Sequence, residues 1–164
     1  MQTKAQSTPD APFVTLGIGR EVFAVPVSTV LEILDMQSIF KVPDAPSYLL
    51  GLIDLRGRSV PVIDLRLKLG LPAVETTPST RILVLDAPVG GRQLVLGLVA
   101  DRVFEVAALG GQGIEPPPDI GVRWRSDYIE GVARRGDSFV IIFNLASLFA
   151  GAETAFLGTA EAAA

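Results

Sequence analysis

Apolar positions in this chain come in short runs separated by turn residues, a spacing that suits strands far better than helices. Phe13 to Ile18 and Glu21 to Val25 flank Gly19-Arg20 and read as a hairpin. Pro26 ends the second strand, and Ser28 is a candidate cap for a helical turn. From Val30 to Leu34 the pattern is ambiguous. A helix groups Val30, Ile33 and Leu34; a strand groups Val30, Glu32 and Leu34. The segment is short and β-branched, which favours one helical turn leading into a strand. Two prolines make 41–47 an extended loop. Residues 72–80 are a Pro/Thr linker, Arg81 to Leu85 a strand, 86–92 a Gly/Pro-rich turn, and Gln93 to Val99 a strand. Asp101 is a candidate cap before Val103 to Leu109, and Gly110 to Arg123, with three consecutive prolines, is a long loop. Tyr128 to Arg134 and Ser138 to Phe143 form a hairpin over Arg135-Gly136-Asp137, and Asn144 caps a last short helix.

The stretch from Tyr48 to Pro72 carries the most information. Gly57 lies between two apolar runs, and glycine reaches positive φ without steric cost, so the chain should turn there. With Gly57-Arg58 as the loop, Arg56 lies opposite Ser59 and Leu55 opposite Val60. Strand alternation then puts Ile53, Leu55, Val60 and Val62 on a core face. The other face carries Leu52, Asp54, Arg56, Ser59, Pro61 and Ile63 and is mixed. Asp64 caps a short helix that Gly70 and Pro72 stop.

The two halves of the chain echo each other. Tyr48-Leu-Leu-Gly51 matches Tyr128-Ile-Glu-Gly131, 80 positions on. Asp64 follows Gly51 by 13 residues, and Asn144 follows Gly131 by 13. Val30-Leu-Glu32-Ile33 matches Val103-Phe-Glu105-Val106 at a separation of 73. Such a repeat of short strands and capped turns predicts two similar small barrels.

At 164 residues the chain suits one domain with a sizeable core. Its formal charge is −4 and its pI about 4.8, with no basic run, which argues against nucleic acid or an anionic membrane as partner. No apolar run approaches the roughly 20 residues that span a bilayer, and the polar N-terminus lacks the core of a signal peptide. Mean hydropathy is nevertheless +0.44, which predicts a large β core with some apolar surface left for partners. Residues 1–12 read as a flexible lead-in and 151–164 as a flexible tail.

Cysteine and histidine are both absent. That removes thiolate chemistry, the commonest general base and the commonest metal ligand, so neither a metal nor another cofactor is expected. Gly110-Gly111-Gln112-Gly113 runs into prolines rather than a helix, which does not suit a phosphate cradle. Asp54 and Asp64 read as a neighbour of Arg56 and a helix cap rather than an acid/base pair. Glu32 and Glu105 read as solvated strand-face carboxylates, and Trp124, between Arg123 and Arg125, as core or rim. Arg56 is the candidate functional residue. Either it pairs with Asp54 or solvent, or it offers its planar donor set to a partner's carboxylates or carbonyls. The classes left open are an interaction scaffold and a stand-alone small-molecule-binding β-barrel sensor, with an enzyme disfavoured.

Around Arg56 the chain resembles the CheW family of chemotaxis coupling proteins. The likeness rests on Gly51-Leu-Ile-Asp-Leu-Arg56-Gly57 and on Val60-Pro61-Val62-Ile63-Asp64-Leu65-Arg66. It also rests on Val30-Leu31-Glu32-Ile33, Val42-Pro43-Asp44-Ala45-Pro46 and Tyr128-Ile129-Glu130-Gly131, and it covers about Phe13 to Phe149. The resemblance implies a mainly β fold of two five-stranded SH3-like β-barrels, with a few short helices. Residues 13–150 would form the domain, the first barrel largely 21–75 and the second largely 81–150 plus the first strand. It further implies a non-catalytic, cytoplasmic adaptor that links methyl-accepting chemoreceptors to a CheA-type histidine kinase. Arg56 would contribute to receptor binding, with Val30 and Glu32 near that surface, while the kinase contact stays unassigned. Two features depart from the family pattern: Asp54 stands where asparagine is common, and the 86–92 turn is long.

Overall fold

A computed structural model describes residues 12–89, 91–109, 114–116 and 128–149. The lead-in, the Gly110–Gly113 cluster, Trp124 with its flanking arginines and the tail lie outside them. The strands are β1 (Pro12–Ile18), β2 (Glu21–Pro26), β3 (Val30–Asp35), β4 (Leu49–Leu55), β5 (Arg58–Asp64), β6 (Arg81–Val89), β7 (Arg92–Ala100), β8 (Arg102–Ala108), β9 (Ile114–Glu115), β10 (Ile129–Arg135) and β11 (Ser138–Phe143). Two four-residue helices, α1 (Leu65–Lys68) and α2 (Leu145–Leu148), follow β5 and β11.

The strands form two curled sheets, two SH3-like barrels. One has the order β3-β6-β7-β5-β4 and the other β8-β1-β2-β11-β10-β9. Position by position the orders match, β3 with β8 at one edge and β4 with β10 near the other. Both contain one parallel pair, β5 with β7 and β11 with β2. The second sheet has a sixth strand, the two-residue β9. Pairing also differs from the expected split, a first barrel largely at 21–75 and a second largely at 81–150 plus the first strand: β1 does join the second sheet, but β2 goes with it and β6–β7 stay with the first. The β6–β7 hairpin completes the barrel begun by β3–β5, and the β1–β2 hairpin sits in the middle of the barrel completed by β8–β11. Sequence order does not show this exchange, because a hairpin carries no mark of the sheet edge it joins.

Local expectations hold where a turn or cap has its own chemistry. Ile18 pairs with Glu21, so Gly19-Arg20 is the two-residue turn. Asp64 accepts hydrogen bonds from the Arg66 and Leu67 amides, and Asn144 from Ser147. The N–H groups of Asp64 and Asn144 donate to the carbonyls of Tyr48 and Tyr128, at 2.8 and 2.7 Å, so the repeat read from the sequence is a repeat of hydrogen bonds. Three expectations are corrected. Ser28 lies inside a 3-10 turn, Val27–Thr29, and does not cap it; the Thr29 hydroxyl closes that turn onto the Pro26 carbonyl. The 86–92 turn is mostly strand, with Val89 opposite Arg92, because Ala87 and Val89 alternate into the core. Asp101 starts no helical turn, since β8 follows β7 after a single bend and its side chain is used elsewhere.

The core has three parts. Ile53, Val60, Val62, Ile82 and Val84 fill the first barrel, and Phe13, Ala24, Ala133, Val140 and Ile142 belong to the second. The largest cluster draws on both sheets: Leu16, Ile18 and Phe23 from one, Ile63, Leu83 and Leu98 from the other, with Leu65 and Leu148 from the helices. Ile63, expected on a mixed face, is fully buried there. The first sheet is therefore apolar on both sides, inward to its barrel and outward to its twin.

Beside this cluster an ion pair joins the two barrels. Asp101 accepts from Arg66 Nη2 at 2.7 Å and Nε at 3.1 Å, and from the Gly19 N–H at 2.7 Å. Burial opposes ionisation of Asp101, but the Arg66 hydrogen bond, the Gly19 amide and the charges of Arg66 and Arg102 outweigh it and hold the carboxyl below its ordinary value. A carboxylate with a lowered folded-state pKa stabilises the fold above its unfolded pKa, near 4, and loses that contribution as pH falls through the folded value. Asp64 is shifted the other way, its carboxyl raised by burial against the pull of the Leu67 and Arg66 amides. Asp101→Asn should thus cost about 1–3 kcal/mol at pH 7 and much less below pH 3. Urea midpoints measured across that range check it, and a cost independent of pH would remove the charge from the account.

Candidate functional site

The hairpin turn carries the site. Leu55 pairs with Arg58 and Asp54 with Ser59, so Arg56 and Gly57 are the two loop residues. This corrects the expected register by one: Arg56 stands in the turn and does not face Ser59. Both loop residues have positive φ, 53° and 85°, the pattern of a type I′ turn. Glycine adopts this freely, but an arginine there gives up about 1 kcal/mol. Asp54 enforces the geometry, its Oδ1 accepting the Gly57 N–H at 2.8 Å. An asparagine oxygen would accept the same bond. Asp54 is not the partner of Arg56.

That partner is Glu32. Arg56 Nη2 lies 2.8 Å from both carboxylate oxygens, with the arginine side chain 70% exposed and the glutamate 31%. The contact runs from the β4–β5 turn to β3, the two edges of the first sheet, and helps close the barrel. Lower on the same seam Phe40 and Leu52 exchange N–H···O bonds, both 2.8 Å. Among the described residues Arg56 makes no other hydrogen bond, so Nε and Nη1 remain available to a partner. An exposed pair of this kind contributes little to stability.

Leu31 and Ile33 on β3 are exposed, and Phe40 is 70% exposed. In register, β3 passes from Val30, opposite Leu85, to Ile33, opposite Leu83, so it holds one extra residue and bulges. Past the bulge the strand alternates, with Leu31, Ile33 and Asp35 exposed and Val30, Glu32 and Leu34 half-buried. Val30 is placed differently: it is half-buried against the cluster between the barrels and anchors the start of β3. Arg56 and Glu32 are thus brought into contact, and Val30 supports their strand from behind.

Two features escaped the sequence reading. Lys68 lies over the rings of both Tyr48 and Tyr128, 4.5 and 5.6 Å from their centroids, so the repeated tyrosines meet at one ammonium. Burial, and then Tyr128, raises the Tyr48 phenol above its ordinary pKa. Their identical spacing from Gly51 and Gly131 was the available signal. The second feature is that Glu105 is not simply solvated but pairs with Arg135, and Phe104, Val106 and Phe139 are exposed nearby in the chain. Among the described residues no helix is long and apolar enough to cross a membrane.

The arrangement can hold a protein surface: a fixed, half-satisfied guanidinium beside exposed apolar side chains. A model of the CheW-like domain matches residues 12–153. The chain is 28% identical to the chemotaxis protein CheW of Klebsiella aerogenes over 153 residues, 93% of this chain and 90% of that one. It is 32% identical to the chemotaxis protein CheW of Helicobacter pylori over 133 residues, 81% of this chain and 78% of that one. Among solved structures it is similar to the scaffolding protein TtCheW from Thermoanaerobacter tengcongensis, with a TM-score of 0.75, 31% identity and coverage of 85% and 92% of the two chains. With its doubled barrel and a family match over most of its length, the chain belongs to the CheW family.

Proposed function

We propose that the chain is a non-catalytic scaffold that couples the cytoplasmic tips of methyl-accepting chemoreceptors to a CheA-type histidine kinase in the cytoplasm. Membership in a family whose named members are chemotaxis proteins supports the setting. The observation that carries the site is the Arg56–Glu32 pair standing at the end of an exposed apolar face of β3. A receptor helix lays its apolar side on Leu31, Ile33 and Phe40 and presents a carboxylate or carbonyl to the free nitrogens of Arg56. The kinase docks on an end of a barrel. Each contact is weak, and many held side by side in an array add through effective concentration. A stand-alone small-molecule sensor is not favoured, because side chains such as Ile53, Val60 and Ile82 fill the first barrel and Phe13 and Val140 pack within the second.

Arg56→Ala is the test. Because the side chain is exposed, the melting temperature should stay within about 2 °C of the wild type. Affinity for a receptor-tip fragment should fall about tenfold or more, while kinase binding is kept. Undiminished receptor binding would take Arg56 out of the mechanism.

A further inference from the structure

We propose that Asp54 is a specificity-determining residue of the Arg56 hairpin: it makes the site favour a side-chain amide over a carboxylate on the helix that docks there. This rests on the reading that the hairpin takes a receptor helix, and it names the chemistry of that contact.

Asp54 does its structural work without its charge. Oδ1 accepts the Gly57 N–H at 2.8 Å, a bond that needs an oxygen acceptor and not an anion. Among the described residues Asp54 has no cationic partner, and its Oδ2 accepts no hydrogen bond. The residue is exposed, so the charge is free to act on whatever approaches.

Position decides what it acts on. Asp54 lies opposite Ser59, and Leu55 opposite Arg58. Alternation puts Asp54 on the outward face of the hairpin with Leu52 and Pro61, and Arg58 on the other face. Phe40 extends the outward face, through its two hydrogen bonds to Leu52. Asp54 thus stands between the Arg56 turn and Phe40, under any helix that reaches both. Three cations, Arg56, Arg58 and Lys41, stand around the seam against two carboxylates, Glu32 and Asp54, while Asp35 is matched by Arg81. Whatever that balance, a neutral residue at position 54 moves the local potential by one unit charge toward acidic partners.

An amide satisfies both groups. Its carbonyl oxygen accepts from the free nitrogens of Arg56, and its NH2 donates to Asp54 Oδ2. A carboxylate accepts from Arg56 equally well but meets Asp54 as a like charge with no proton to offer. Such a mismatch penalises the acidic partner without weakening the neutral one.

The test is a charge cycle. The full chain is titrated by calorimetry with a helical-hairpin fragment of a chemoreceptor tip in two versions, one as it stands and one with the Asp and Glu residues of its tip changed to amides. At low salt Asp54→Asn should bind the acidic version about threefold more tightly than the wild type does and the amide version unchanged. The gain should fade at high salt, where exposed charges are screened. The melting temperature should stay within about 2 °C of the wild type, since the acceptor for the Gly57 N–H is kept. Arg56→Ala is run beside it. If Arg56→Ala weakens binding while Asp54→Asn changes neither version, or both alike, the specificity role is overturned and the receptor reading stands. Arg56→Ala binding both versions as the wild type does, or no binding by the wild type, removes the receptor reading and the proposal with it.

Discussion

Gly51→Ala should cost more than about 4 kcal/mol, a large share of the 5–15 kcal/mol that holds a domain of this size together. Gly51 has φ 147°, and a Cβ placed on it would lie 2.0 Å from the Phe40 carbonyl oxygen and 2.7 Å from its carbon. Both are backbone atoms, so no side chain can swing away. Relief requires breaking the Phe40–Leu52 pair that seals the seam of the first barrel, or moving β4 off β5. Gly57→Ala is the control. It also has positive φ, 85°, but its added methyl meets nothing within 4 Å, so its cost should be about 1 kcal/mol. Gly131→Ala should fall between the two. Its backbone is unstrained, and the nearest atoms belong to Ile114 and Glu115 of the two-residue β9, which can shift. Urea unfolding followed by circular dichroism ranks the three variants. A Gly51→Ala midpoint equal to that of Gly57→Ala would mean that the seam does not need this glycine.

Gly51 also shows what kind of information the sequence carries. Its importance was legible as a spacing, 13 residues before the Asp64 cap and matched by Gly131 and Asn144. The reason was not, because the Phe40 carbonyl arrives from a loop that no periodicity describes. The same division runs through the fold. Hairpins, caps and the duplication are local facts, set by turn chemistry and strand alternation, and they could be read directly. Which sheet a hairpin joins depends on contacts far apart in the chain, so the exchange of β6–β7 and β1–β2 between barrels could not. Leu65 and Ile63 illustrate the consequence. Their strand and helix were foreseen, yet their burial between two barrels depends on a partner surface invisible from either half.

At the site, Arg56 was found through its place in a motif on a mixed hairpin face. Its register was misjudged by one residue because Gly57 suits either position of a two-residue turn. The acceptor of the Gly57 N–H, Asp54, decides between them, and an Asx contact three residues long is a signal the sequence does contain. Glu32 was singled out only by resemblance. It and Arg56 are 24 residues apart, and the closing of the barrel, not any local rule, brings them to 2.8 Å. Glu105 and Arg135 were missed for the same reason, although the match of Glu105 to Glu32 in the repeat pointed toward them.

Phe143→Ala should destabilise both barrels together, by about 3–5 kcal/mol. Phe143 ends β11 and is stacked on Phe23 of β2, ring centroids 4.8 Å apart and planes parallel to within 1°. Both rings belong to the cluster that takes side chains from each sheet. Either barrel has only a small apolar core of its own, and sheets of five or six strands with so little inside them lack much to hold them alone. The shared cluster should therefore make the domain one cooperative unit, with neither barrel folded while the other is open. Native-state hydrogen exchange separates the alternatives. Cooperative loss lowers protection at Leu83 and Leu98 of the first sheet by the same factor as at Leu16 and Val25 of the second, about two orders of magnitude for 3 kcal/mol. Protection that falls only in the second sheet would make the barrels separate folding units. The largest apolar cluster of the chain lies where the two sheets meet, so the loss of one ring there is felt on both sides.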